Sequence, residues 1–162
     1  MRNKGITLVA LAIMIVIILI LAGITISTGS NLIKNAQLQT LNTNMLLIQA
    51  KEKTIAEKAI FENNNTALYK GQKIADMSSD PTIQKLKENG VISESEGSYD
   101  KYYLWNQAIL NEQGLEAIKL KEDEFFIVNY ATDEIVYTKG FKHTDGKIYY
   151  KLSETRNLTM NA

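Results

Sequence analysis

The feature that most constrains this chain is an uncharged run that begins almost at once. Met1-Arg2-Asn3-Lys4-Gly5 leads directly into Ile6 to Ile26, and no charged residue occurs between Gly5 and Ile33. Thr7, Gly23 and Thr25 are its mild interruptions, and Ile, Leu, Val, Ala and Met fill the rest. A hydrocarbon core is crossed by about 20 apolar residues. Backbone groups in lipid must be satisfied within the segment, so the run is predicted to be a transmembrane helix over residues 6–28. Arg2 and Lys4 precede it, and the first charge after it is Lys34. The positive-inside rule then holds the N-terminus in the cytoplasm and sends the remainder outside, as a single-pass membrane protein.

The run is too long for the apolar core of an ordinary secretory signal. It also absorbs much of the chain's apolar content. The 45% hydrophobic composition of the 162 residues therefore overstates what is left to build a core, and the head is expected to be small. Lys plus Arg and Asp plus Glu both number 18, with no basic stripe, so direct nucleic-acid binding is not expected. The absence of cysteine excludes disulfides and thiolate metal sites.

Gly29-Ser30-Asn31 marks the end of the span, where the helix could be capped, kinked or interrupted. From Leu32 a helical pattern resumes. Leu38, Leu41, Met45, Ile48, Ile55 and Ala59 recur in three- and four-residue steps, with Glu52 the one break. Such a stripe suits a coiled-coil seam or a helix covered by the chain's own sheet, and the strand-rich sequence downstream favours the second. Asn63-Asn64-Asn65 ends this amphipathic stalk, residues 29–62.

The head, residues 63–152, reads as polar and irregular up to residue 80. Asp80-Pro81 then opens a short helix, with Asp as N-cap and Pro at the first helical position, and Asn89-Gly90 stops it. Another short helical turn is expected within 111–118. Strands are predicted at 124–130, 134–138 and 147–152, with an Asp145-Gly146 hairpin turn before the last. Tyr102-Tyr103-Leu104-Trp105 is a short strand or a core edge. Residues 153–162 are expected to form a flexible tail. The fold class is thus α+β: a long N-terminal helix packed against a small C-terminal antiparallel sheet.

Little in the head suggests chemistry. His143, the single histidine, adjoins the hairpin turn, and no nucleophile motif accompanies it. Glu122, Asp123 and Glu124, with Asp133 and Glu134, lack calcium-loop spacing and read as solvated charge. Tyr99, Tyr102, Tyr103 and Trp105 could form a stacking platform for a sugar or single strand, although aromatics at this density more often fill a small core. No catalytic residue, cofactor or metal site is expected.

Lys4-Gly5-Ile6-Thr7-Leu8-Val9 resembles the type IV prepilin signal: a basic residue, glycine at the cut, an apolar residue, Thr-Leu, and another apolar residue. The resemblance covers about the first 26 residues and implies a five-residue leader, 1–5. A prepilin peptidase would cut it between Gly5 and Ile6, with methylation of the new Ile6 amine. It further implies a pilin-like head and assembly through the N-terminal helix, from Ile6 onward, with other pilin-like subunits on an inner-membrane platform. The sequence departs from the family at Ala10, where pilins usually carry Glu. That departure suits a minor pilin or pseudopilin of a type IV pilus, a DNA-uptake or a type II secretion-like filament. The competing reading is an uncut, anchored module that binds a ligand outside the cell.

Overall fold

The middle of the apolar stripe, from Leu41 to Ala56, is covered by the chain's own sheet. The computed structural model describes the backbone of residues 4–160. Within the N-terminal helix it describes the side chains of Leu11, of residues 13–18 and of those from Asn31 onward. That helix, α1, covers Lys4–Phe61 and includes Gly29-Ser30-Asn31. Contacts divide the chain into two compact units, Met1–Gln37 and Leu38–Ala162. The expected stalk, 29–62, is therefore shared between them, and its stripe belongs with the head.

In the first unit, Leu11 and Ile13, Met14, Ile15, Val16, Ile17 and Ile18 are all exposed. Among the described residues, no helix is long and apolar enough to cross a membrane. Most side chains of the sequence-predicted span, 6–28, lie outside the described residues.

The second unit is built on a five-stranded antiparallel sheet in the order β1-β2-β3-β4-β5. The strands are β1 (Gln72–Lys73), β2 (Tyr102–Trp105), β3 (Phe126–Asn129), β4 (Glu134–Lys142) and β5 (Ile148–Lys151). Every residue of β2 and β3 is buried. Side chains alternate across a strand, so the sheet must be covered on both faces. The register aligns Tyr103 with Val128 and Val128 with Ile135, and these join Trp105, Phe126, Met45, Ile48 and Ala56 in the core beneath α1. Leu104, Ile127 and Val136 align on the opposite face, where Ile74, Ile83, Leu86 and Ile92 cover them.

Helix α2 (Pro81–Glu88) supplies part of that second cover, and it forms as its sequence predicts. The Asp80 carboxylate accepts from the Thr82 and Ile83 amides at 2.8 and 3.1 Å. At the other end Gly90 is left-handed at φ +67°, and the Val91 amide donates back to the Leu86 carbonyl at 2.9 Å. Helix α1 ends at the expected asparagines, with Asn63 and Asn64 both left-handed. Helix α3 (Gln107–Glu112) starts four residues before the predicted turn, because the Asn106 side chain caps it by accepting from the Ile109 amide.

Strand β1 and the buried Ile74 fall in the stretch expected to be irregular up to residue 80, and two further expectations are corrected. Strand β4 does not stop at Thr138; it continues through Lys142, past an irregularity between Val136 and Phe141. Gly140 permits this with φ +67°, and a Cβ there would lie 2.4 Å from Ile148 Cγ2. Residues 153–162 do not begin as a loose tail, because helix α4 covers Leu152–Met160. Glu154 reaches back to accept from the Tyr150 and Lys151 amides at 2.9 and 3.0 Å, the returning half of a capping box. Leu152 and Thr155 are buried, and the Asn42 side chain on α1 donates to the Thr155 carbonyl at 3.1 Å.

Gly90 and Gly140 share φ +67°, yet nothing lies within 4 Å of a Cβ built at Gly90. Alanine at either position carries the left-handed penalty of about 1–2 kcal/mol. Gly140→Ala adds a steric clash, so it should lower the urea unfolding midpoint clearly more than Gly90→Ala. Equal midpoints would contradict the packing of β5 over Gly140.

Candidate functional site

Residue 52 breaks the apolar stripe in sequence, and the structure puts that break at the helix–sheet interface. Helical spacing after Met45 and Ile48 turns residue 52 toward the sheet. Glu52 is 0% exposed. Neither of its carboxyl oxygens has a hydrogen-bond partner among the described residues. Burial pushes the carboxyl up to about 8; the nearby Asp133 carboxylate adds to the shift and Lys53 opposes it. An isolated buried carboxylate responds to desolvation by taking a proton. Glu52 is accordingly a neutral acid at pH 7.

The surroundings of Glu52 are fixed from two directions. Asp133, in the turn between β3 and β4, has the left-handed φ of 58°. Its carbonyl accepts from Gln49 Nε2 at 2.7 Å, and its carboxylate lies 3.3 Å from Lys53 Nζ. Gln49 and Lys53 flank Glu52 on α1, so the turn is clamped to the helix beside the buried acid. The ion pair is substantially exposed and by itself contributes about 0–1 kcal/mol.

The second direction is aromatic. Tyr69 and Tyr130 stack at 4.0 Å with rings 2° from parallel, and Tyr103 meets both edge-on at 5.6 and 5.3 Å. The Tyr130 hydroxyl accepts from the Lys70 amide at 3.0 Å, and Trp105 Nε1 donates to the Lys70 carbonyl at 2.8 Å. Burial raises the Tyr130 hydroxyl far above the usual phenol range, and the charge of Glu52 would raise it further. Both phenol and acid therefore stay uncharged in the interface.

Asn42 is a further buried polar group on the same stripe. Its Nδ2 donates to the Thr155 carbonyl and to Thr159 Oγ1, while its Oδ1 has no partner among the described residues. It ties α4 to α1.

This arrangement can hold or release a proton at Glu52, but it presents no nucleophile beside a base. His143 lies in the β4–β5 turn, its Nδ1 3.3 Å from Asp145 Oδ1 and its ring edge-on to Tyr149. A hydrogen bond from the Tyr149 hydroxyl, at 2.6 Å, holds the Asp145 carboxyl below its ordinary range. The acidic residues are dispersed rather than gathered: Asp123 pairs with Lys139, Asp133 with Lys53, and Glu134 accepts from the Ser153 amide. Among the described residues, no group of three or more His, Cys, Asp or Glu could hold a metal ion. A cleft of about 320 Å³ between α2 and the β4–β5 hairpin has no histidine or carboxylate in its lining.

The sequence-predicted processing and assembly residues Gly5, Ile6 and Ala10 lie outside the residues whose side chains are described. Of the four aromatics considered as a stacking platform, Tyr102, Tyr103 and Trp105 are buried, on opposite faces of β2. They are core, and they do not share a binding face. Glu52 was legible only as an interruption of the stripe. No family model, curated protein or solved structure matches the chain.

Trp105 is the single tryptophan and is 0% exposed. Its fluorescence should be blue-shifted and resist iodide quenching in the folded protein, with both properties lost in urea. Ready quenching of the folded protein would contradict the burial of the β2 aromatics.

Proposed function

We propose that this chain is a pilin-like structural subunit, a minor pilin or pseudopilin of a type IV pilus, DNA-uptake or type II secretion-like filament. One observation carries the reading: a short basic leader ending in glycine abuts an uncharged run, as Lys4-Gly5-Ile6-Thr7-Leu8-Val9. A prepilin peptidase cuts between Gly5 and Ile6, where glycine leaves the peptide bond unobstructed, and the amine of Ile6 becomes available for methylation. The helix stays attached as a single-pass anchor in the cytoplasmic membrane, with the head outside.

Two structural observations support the proposal without depending on the leader. Leu11 and residues 13–18 expose apolar side chains around a helix, which suits contact with lipid or other helices and not with water. The head carries a long helix against an antiparallel sheet, and its Trp105 cluster is spent on the core instead of a ligand platform. Ala10 replaces the carboxylate that in pilins pairs with a neighbouring subunit's terminal amine. Without that buried pairing, the subunit suits a minor position.

The test is the N-terminus of protein recovered from membranes of cells that contain a prepilin peptidase. Wild type should begin at Ile6, with or without one methyl mass, and a Gly5→Leu variant should begin at Met1. A wild-type chain that keeps Met1 would overturn the proposal and leave an anchored binding module.

A further inference from the structure

A helix that needs only to dock on a sheet has no use for a carboxyl at the centre of its buried face. Glu52 occupies that place with both oxygens unpartnered among the described residues. We propose that Glu52 is a proton-operated latch on the α1–sheet interface, which is closed while the carboxyl is protonated and loosens at the β3–β4 turn when the proton leaves.

The geometry selects the turn as the point of opening. Among the described residues, the charged and titratable groups that act on Glu52 are Lys53 on α1, Asp133 in the turn and the phenol of Tyr130, which follows β3 and against which Tyr69 and Tyr103 pack. Lys53 is the adjacent cation, and it already pairs with Asp133 at 3.3 Å. Among the described residues, an ionised Glu52 thus meets the Asp133 carboxylate without a cation of its own. It gains most by admitting water, and the least protected boundary is the clamp in which Gln49 and Lys53 hold Asp133. The stacked Tyr69 and Tyr130, fastened through Lys70, close the aromatic side.

The direction with pH follows from linkage. The Glu52 carboxyl ionises near its ordinary 4.5 when the chain is open and near 8 when it is closed. The closed state therefore has its full Glu52 contribution below 4.5 and loses it as pH rises toward 8. Over that interval the closed-to-open ratio falls about tenfold per pH unit. This holds whether or not the leader is cut.

The experiment compares the full chain with Glu52→Gln in detergent micelles, by amide hydrogen exchange at Thr132, Asp133 and Tyr130 between pH 5.5 and 7.5. Comparison at matched pH removes the intrinsic pH dependence of exchange. The wild-type protection should fall relative to the variant by about a hundredfold across that range. Parallel profiles would overturn the proposal. If Glu52→Gln does not fold, urea unfolding of the wild type, followed by Trp105 fluorescence, supplies the readout. A folded-to-unfolded ratio that drops about a hundredfold from pH 5.5 to 7.5 supports the latch, and a constant or rising ratio overturns it.

Discussion

The contact between α1 and the sheet is the constraint on which the head depends. Strands β2 and β3 are buried on both faces, with Asn129 their one non-aromatic polar residue, and would expose apolar surface as a two-layer structure. The α2 side covers one face with residues close in sequence to β2. The other face is covered by Met45, Ile48 and Ala56, which lie more than forty residues before it. Without that helix, Trp105, Phe126 and Val128 would face water, and truncating a single buried aromatic to alanine already costs about 3–5 kcal/mol. The long helix is therefore part of the head's core as well as its connection to the N-terminal segment.

That interface carries an internal cost. Holding the Glu52 carboxyl protonated at pH 7, from an ordinary value of 4.5, costs about 3 kcal/mol. Domains of this size have only about 5–15 kcal/mol of net stability. Leucine at position 52 would match the stripe without this cost, so the acid makes the interface conditional where an apolar residue would make it permanent. Asn42, whose Oδ1 is unpartnered among the described residues, adds a second polar element on the same face and ties α4 to α1.

Much of the architecture was legible because its signals are local. Asp80-Pro81 and Gly90 bracket α2, Asn63 and Asn64 end α1, and Asp145-Gly146 turns the last hairpin, each through a conformational preference of the residue itself. The three- and four-residue steps from Leu38 to Ala59 identified the buried face. What escaped was set by contacts distant in sequence. Helix α4 contains Leu152 and Thr155 three residues apart and Glu154 as a capping acid, but a nine-residue helix is marginal without partners, and its partners are β4 and β5, the core that takes Leu152, and Asn42 on α1. Strand β4 passes Gly140 because β5 packs over it, which its glycine and lysines do not announce. Glu52 looked like a flaw in periodicity because polarity is read as solvent exposure, and the sheet that removes its solvent begins twenty residues later.

The proposed role in a filament rests on the N-terminal sequence, whereas the head encloses a neutral acid between helix and sheet. The most direct test of that enclosure is the side-chain carboxyl carbon resonance of Glu52, assigned by its loss in Glu52→Gln and followed by NMR in the micelle-bound full chain. A midpoint near 8 is the result expected for an acid enclosed by α1 and the sheet. A midpoint near 4.5 would place the carboxyl in water and contradict the interface on which the head is built.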